Sequence, residues 1–414
     1  MLERADVLIV GAGPAGLAAA IELKRLGVRE VVVVDREPDA GGIPRLCHHP
    51  GFGLRDLRRM LSGPAYARQY VHRAQQAGIT IHLATTITGW QGPRHLSFTS
   101  PRGLGQIEAK AILLATGCRE RPRSARLIPG SRPQGVFTTG SLQRFVYEHH
   151  LPVGERAVIV GAELVSLSAL MTLMHARVPV AMMVTELPEP QIYFPYRPMK
   201  WLLADWLTRT PIVPRAQVTN IVGRQRVEGV EITHLDSGRV ERIGCDTVIF
   251  TGDWIPEHEL ARLGGLALDP GTRGPQVDGA FRTSARGVFA AGNLLRGAET
   301  ADASALEGQR AARHVHQFLS DGQWPERAWP IWVEPPLAWV CPNVLHPTES
   351  LTSGLAFCSH EFCDNVRVLV VQGEKLLHAQ PFRRLVANEI LRLEVNWLTA
   401  FDGAAAALRL VVAR

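Results

Sequence analysis

The sequence predicts an α/β protein in which one parallel-sheet unit is inserted into another, followed by a small β-rich domain. Three observations carry this prediction. Residues 5–37 run as strand, glycine turn, helix, strand and terminal acid. The same order recurs over residues 157–186. Past Pro330 the text changes to short strand-like runs. The expected architecture is therefore two nested Rossmann-like three-layer ββα domains plus a β-rich C-terminal domain. The first is discontinuous, over 1–152 and 253–330; the second spans 153–252; the last covers 331–414.

The opening unit is the most legible. Val7 to Val10 is a continuous apolar run suited to a buried parallel strand. Gly11, Gly13 and Gly16 follow in the pattern G-x-G-x-x-G, and an apolar helical segment runs from Pro14 to Leu26. Gly11 permits a tight turn, Gly13 leaves room for a pyrophosphate, and Gly16 lets the helix lie close on the strand. The helix N-terminus offers N–H groups and a partial positive charge to phosphates. Val31 to Val34 is the second strand, and Asp35 follows it, 24 residues after Gly11. The spacing is near the roughly 20 residues expected for an acid that binds a ribose hydroxyl.

A loop rich in Gly, Arg and His follows, from Gly41 to Gly53. Leu57 to Gln76 reads as a helix interrupted at Gly63-Pro64, and Thr80 to Ala109 as short strands with turns at Gly92-Pro93 and Pro101-Arg102-Gly103. Residues 111–117 read as a buried strand ending on glycine. In the second copy the strand is 157–161, the helix Leu164 to Met174, and the next strand Val178 to Val184, ending at Thr185-Glu186. A meander follows over 216–250 with a hairpin signal at Asp236-Ser237-Gly238. Residues 286–293 and a helix from Ser304 to Phe318 complete the first unit. Trp324-Pro325, Trp329-Pro330 and Pro335-Pro336 read as a linker.

The second fingerprint is damaged. Gly161, Glu163 and Ser166 stand where the first copy has three glycines. Glu163 places a side chain and a negative charge in the path of a pyrophosphate, and the expected effect is repulsion between like charges. Glu186 retains the capacity to hold a ribose. The unit is expected to bind a nicotinamide nucleotide poorly, the rival reading being a variant that still binds NADH.

The 414 residues, 46% hydrophobic and 20% charged, have a globular composition. The net charge of +6 comes from dispersed arginines and suits anionic ligands better than nucleic acid. No signal-peptide pattern and no membrane-spanning run is evident, and the six cysteines are scattered, so a reducing cytoplasmic setting is expected.

Gly11-Ala12-Gly13-Pro14-Ala15-Gly16 with Asp35, Ala115-Thr116-Gly117 and Gly287-Val288-Phe289-Ala290-Ala291-Gly292-Asn293 resemble the pyridine nucleotide–disulfide oxidoreductase superfamily of flavoproteins. The resemblance covers about residues 1 to 320 and implies FAD. It implies cofactor contacts at Gly11, Gly13, Pro14, Ala15, Gly16, Asp35, Arg36, Gly42, Ile43, Arg45, Thr116, Gly117, Gly292, Asn293, Thr300 and Ala301. Asn293 replaces the usual acid of the last motif, but an amide can still bond a ribityl hydroxyl. In this fold the helix after Thr300 would aim at the flavin pyrimidine edge, with Thr300 or Asp302 as N-cap.

A narrower likeness rests on GGIPRLCHHPGFGLRDLRR, GPAYARQ, VIVGAELVSLSAL and GVFAAGNLLRGAETADASALEGQRAA. These resemble the FAD subunits of hydrogen cyanide synthase, opine oxidase and dye-linked proline or hydroxyproline dehydrogenase. That likeness implies oxidation of the C–N bond of amino acids or N-alkyl amino acids and a non-nicotinamide acceptor. It also implies a partner, either a second flavoprotein or an iron–sulfur subunit. Many of those proteins carry a C-terminal [2Fe–2S] domain. Here residues 337–414 hold only Cys341, Cys358 and Cys363, and Val366 takes the next expected ligand position, so no Cys₄ site is completed. Cys358, His360 and Cys363 do not share one strand face, and no metal is expected.

A C-x4-C redox pair after Gly42 would occupy Pro44 and His49, and the second unit has no C-x-x-C. Thiol–disulfide exchange needs two thiols, so a disulfide reductase is disfavoured. Cys47 reads as a packed loop cysteine. His48 and His49 are the candidate bases, against a loop-ordering role. Arg45 suits a phosphate or a substrate carboxylate. Two further readings stand beside the dehydrogenase: an FAD-holding electron-transfer or assembly subunit whose partner does the amine chemistry, and an NADH-dependent flavoprotein reductase.

Overall fold

A computed structural model describes residues 2–193, 196–326, 328–346, 354–403 and 407–414. The chain forms two compact units: residues 1–45, 50–118 and 256–414, and residues 46–49 and 119–255.

In the first unit, β1 (Leu2–Val10) lies parallel to β2 (Val31–Val34), with Val7 opposite Val31 and Val10 opposite Val34. On its other side it pairs in parallel with Gly103–Leu114, which also holds Val288–Ala290. Thr80–His82 extends the sheet beyond β2. The strand Gly103–Leu114 is one element of 12 residues, not the two segments expected from sequence. Its first half alternates exposed and buried residues, where the hairpin strands Thr86–Gly92 and His95–Ser100 are added; its last four residues, Ala111 to Leu114, are all buried. Helix α1 (Pro14–Arg25) packs against the helix Ala301–Asp321 so closely that a methyl group on Gly308 would stand 2.0 Å from Ala15 O. Helix α2 covers Gly63–Gln76 with Pro64 in its first turn. Gly63-Pro64 thus starts the helix and does not interrupt it, since proline costs nothing where the N–H has no helical acceptor; Leu57 to Arg59 are turn and bend.

The C-terminal residues cluster with this unit. They form a five-stranded sheet in the order Val344–Leu345, Trp329–Val333, Leu408–Ala413, Cys363–Gln372, Lys375–Leu385, and a second sheet of Leu337–Cys341, Leu355–Ser359 and Leu391–Leu393. Ile331, Val340, Phe357, Val368, Trp397 and Leu410 are among the buried residues of their core. The expected linker is not a free tether. Trp324 packs edge-on to Phe289 and Phe318, with centroids 5.3 and 5.4 Å away, and Trp329-Pro330 opens a strand.

The second unit has a parallel sheet in the order Val136–Thr138, Thr247–Phe250, Ala157–Val160, Val180–Val184, Ile212–Val213. An antiparallel meander of Ala216–Val222, Gly229–His234 and Val240–Ile243 accompanies it, turning at Asp236-Ser237-Gly238 as expected. The unit takes in residues 119–152, which were expected in the first: Val136–Thr138 pairs with Thr247–Phe250. Among the described residues no helix is long and apolar enough to cross a membrane.

Candidate functional site

The crevice of the first unit opens at the end of β1. Gly11 has φ +115°, and a methyl group there would lie 2.3 Å from Ala115 O. One on Gly16 would lie 1.9 Å from Gly11 O, whereas one on Gly13 would meet nothing within 4 Å. The first and third glycines are therefore demanded by the protein's own packing. Gly13 faces open space, as close approach by a ligand requires. Glycines from distant segments close on the same turn. With φ +64°, Gly42 lies where a methyl group would stand 2.9 Å from Gly13 Cα; on Gly292, at φ +75°, it would stand 2.8 Å from Ala15 Cβ. Pro14 opens α1, and no side chain caps it.

Asp35 is anchored to this turn. Its Oδ2 accepts from Ala12 N at 2.6 Å and its Oδ1 from Glu37 N at 2.9 Å. Thr116 Oγ1 donates to Glu257 O at 2.8 Å, and Gly117 O accepts from Glu257 N at 2.9 Å. Arg36 reaches the Glu257 carboxylate at 3.6 Å. Arg45 lies beside Glu37 and Asp39, at 3.7 and 3.5 Å, so its charge is partly matched within the loop. Ile43 opens a short 3₁₀ turn and is exposed.

At the other end of the crevice, Asn293 Oδ1 accepts from Glu299 N at 3.1 Å and from Ser304 Oγ at 2.9 Å. Two donors on one atom fix the amide's orientation and turn its NH₂ away. Behind it, buried Arg296 is clamped between Glu299, at 2.6 Å, and Glu307. Thr300 is the N-cap of the helix Ala301–Asp321, but its hydroxyl caps nothing: Oγ1 is buried without a hydrogen-bond partner. Ala301 follows it, and buried Asp302 accepts from Arg55 N at 3.2 Å. Sequence reasoning missed Asp56, whose Oδ2 accepts from Tyr66 and Tyr70 hydroxyls at 2.7 Å each and so ties the 53–60 loop to α2.

An open glycine cradle, an N-terminus without a side-chain cap and an orphaned hydroxyl are what a bound dinucleotide would complete. The residues present fit FAD.

In the second unit Gly161 keeps its fingerprint backbone, at φ +138°. The carboxyl of Glu163 folds back over the start of the helix Leu164–His175. Ser166 N donates to the Glu163 main-chain O at 3.0 Å, while Ser166 Oγ accepts from Glu163 N at 3.2 Å and contacts Thr251 Oγ1 at 2.7 Å. A methyl group on Gly252 would stand 2.6 Å from Glu163 Oε1, and one on Gly161 2.8 Å from Oε2. Arg126 donates to Thr251 O and Gly252 O at 2.8 and 3.0 Å. The crevice is thus filled by protein atoms. Burial raises the Glu163 pKa and favours its neutral form. Obstruction is therefore steric; the like-charge repulsion expected from sequence is not its main basis. Glu186 stands exposed.

The histidines of residues 46–49 are used within this unit. His48 stacks on Tyr147, with centroids 4.0 Å apart and planes 2° apart. His49 Nε2 meets Ser168 Oγ at 2.9 Å; Ser168 accepts from Gln143 Nε2 at 2.9 Å, and Cys47 Sγ donates to Gln143 Oε1 at 3.6 Å. This is a loop-ordering arrangement. Burial pushes the Cys47 thiol up to about 12, so it is a packed cysteine. Cys358 is buried in its strand, His360 is exposed, and Cys363 begins the next strand.

A family model described as pyridine nucleotide-disulphide oxidoreductase matches residues 5–308. An opine oxidase subunit of Rhizobium meliloti is 27% identical over 328 residues, 72% of this chain and 60% of that protein. The alpha subunit of sarcosine oxidase from Rhizobium meliloti (strain 1021) is 25% identical over 274 residues, 62% of this chain and 25% of that protein. The chain therefore spans only part of the length of these relatives. The crystal structure of T. acidophilum thioredoxin reductase shares the fold, with a TM-score of 0.63 at 23% identity over 76% of this chain and 98% of that one.

Proposed function

The chain belongs to the pyridine nucleotide-disulphide oxidoreductase family and is an FAD-dependent oxidoreductase, and we propose that it oxidises the C–N bond of amino acids or N-alkyl amino acids. The observation that carries this reading is the contrast between its two crevices. One is an open glycine cradle; the other is closed by Glu163 between Gly161 and Gly252. A nicotinamide nucleotide has no ready seat, so the reducing electrons come from another substrate. The names of two relatives, an opine oxidase and a sarcosine oxidase, support an amino-acid-like one.

FAD would be held by the Gly11–Gly16 turn, Asp35, Gly42, Gly292, Asn293 and Thr300. When bound it supplies a two-electron acceptor. Gly13 lets the phosphates approach, the start of α1 offsets their charge, and Asp35 is pre-positioned for a ribose hydroxyl. Asn293 presents its amide NH₂ with its oxygen already fixed, and the start of the helix Ala301–Asp321 favours negative charge at its end of the cofactor. The substrate loses two electrons and two protons across its C–N bond, and an imine results.

The engagement of His48 and His49 in ordering their own loop favours a second reading. In it the chain holds FAD as one member of a complex while a partner does the amine chemistry. Anaerobic titration of holo-protein with NADH and with a panel of amino acids and N-alkyl amino acids separates the readings. Bleaching by an amine but not by NADH supports the dehydrogenase. Bleaching by neither supports the FAD-holding role. Rapid full reduction by NADH overturns both.

A further inference from the structure

We propose that the segment Arg197–Leu207 of the second unit is a docking ridge for an anionic lipid surface. Four of its large apolar side chains point to solvent: Trp201 is 60% exposed, Leu202 42%, Trp206 62% and Leu207 49%. Leu203 and Ala204 face the other way, into the second unit's core. The backbone explains why four residues spaced by five form one ridge. After an α-helical turn at Arg197–Lys200, the residues Trp201–Leu207 wind with the wider i→i+5 pattern. In an α-helix of 3.6 residues per turn, positions five apart fall on different faces. The wider turn sets Trp201 near Trp206 and Leu202 near Leu207 along one side.

The charges around the ridge select the occupant. Lys200 pairs with Asp205 at 2.9 Å, which uses the segment's single acid. Arg197 and Arg209 flank the ridge, both exposed, and among the described residues neither is in an ion pair. The whole chain carries +6. Tryptophan flanked by arginine is the composition of a membrane–water boundary, where the indole sits at headgroup level and the cation meets anionic lipid. Size points the same way. Two half-exposed tryptophans and two leucines present on the order of 400 Å² of apolar surface, well below the roughly 800 Å² per partner of a stable protein interface. An area of that size suits shallow insertion of one helical face. Because no described helix can span a bilayer, the contact is peripheral.

The test is co-sedimentation of FAD-loaded protein with vesicles of phosphatidylcholine alone or mixed with phosphatidylglycerol. The expected result is binding to mixed vesicles, weakened by salt and much poorer on phosphatidylcholine. The double substitution Trp201→Ser with Trp206→Ser lowers that affinity by roughly ten-fold or more, with unchanged FAD absorbance reporting an intact fold. Arg197→Gln with Arg209→Gln abolishes the preference for anionic lipid while leaving the tryptophans in place. No binding to either vesicle overturns the proposal, as does binding that both double variants leave unchanged. A concentration-dependent dimer dissolved by the tryptophan substitutions, without vesicle binding, makes the ridge a protein interface and also overturns it.

Discussion

Glu163 Oε1 and the α-carbon of Gly252 are packed so tightly that a methyl group on Gly252 would stand 2.6 Å from that oxygen. The carboxyl lies at the strand ends of a parallel sheet, where open α/β sheets bind their ligands. It helps to make the second crevice self-occupied.

Glu163→Gly is therefore expected to open the crevice. NADH affinity, read by quenching of its fluorescence, should rise at least ten-fold, about 1.4 kcal/mol. Glycine is itself an accepted N-cap residue, so the substitution should cost only about a few tenths of a kcal/mol of stability in urea unfolding. Unchanged NADH affinity in a folded, FAD-replete variant would show that something else shuts the site.

The same carboxyl has a signature in pH. Its folded pKa is raised by burial, so between the unfolded value of about 4.3 and the folded value the native state binds more protons than the unfolded chain. Its contribution is thus present at low pH and lost as pH rises through that window. Relative to Glu163→Gln, wild type should lose stability on raising the pH from about 4.3. A difference in unfolding free energy that is flat with pH would contradict the burial.

Gly13 and Gly16 should respond differently to alanine. A methyl group on Gly16 would lie 1.9 Å from Gly11 O, so Gly16→Ala should prevent β1 and α1 from packing and yield little folded protein. With nothing within 4 Å of its methyl group, Gly13→Ala should fold with near-normal circular dichroism yet lose FAD by ten-fold or more in affinity, about 1.4 kcal/mol. Retention of FAD by Gly13→Ala would remove the phosphate-approach role.

Thr300→Val tests the orphaned hydroxyl with two readouts of opposite sign. Deleting a buried, unpartnered Oγ1 should raise apo-protein stability by about 1 kcal/mol. It should weaken FAD binding if the cofactor satisfies that atom. A fall in both apo stability and FAD affinity would show a structural role instead.

The parts of this protein written locally were legible. The glycine fingerprint, β2 ending before Asp35, and the Asp236-Ser237-Gly238 turn each depend on residues a few positions apart. Gly63-Pro64 was misread because proline breaks a helix interior but suits its first turn, and composition does not distinguish the two. Side-chain pairings left no trace in the sequence, whether distant, as Asp302 with Arg55 N, 247 residues apart, or between a loop and the next helix, as Asp56 with Tyr66 and Tyr70. The π-wound ridge escaped because apolar residues spaced by five match neither the helical nor the strand period. Glu163 was legible as an obstruction, but the burial that raises its pKa depends on Thr251 and Gly252, which only the fold brings near.

The proposed electron donor of this flavoprotein is an amine and not a nicotinamide. The most direct test is the anaerobic absorbance of bound FAD near its visible maximum, followed after mixing with excess NADH and, separately, with members of an N-alkyl amino acid panel. The expected result is full bleaching by at least one amine and no bleaching by NADH within the same time. Rapid, complete reduction by NADH would contradict it.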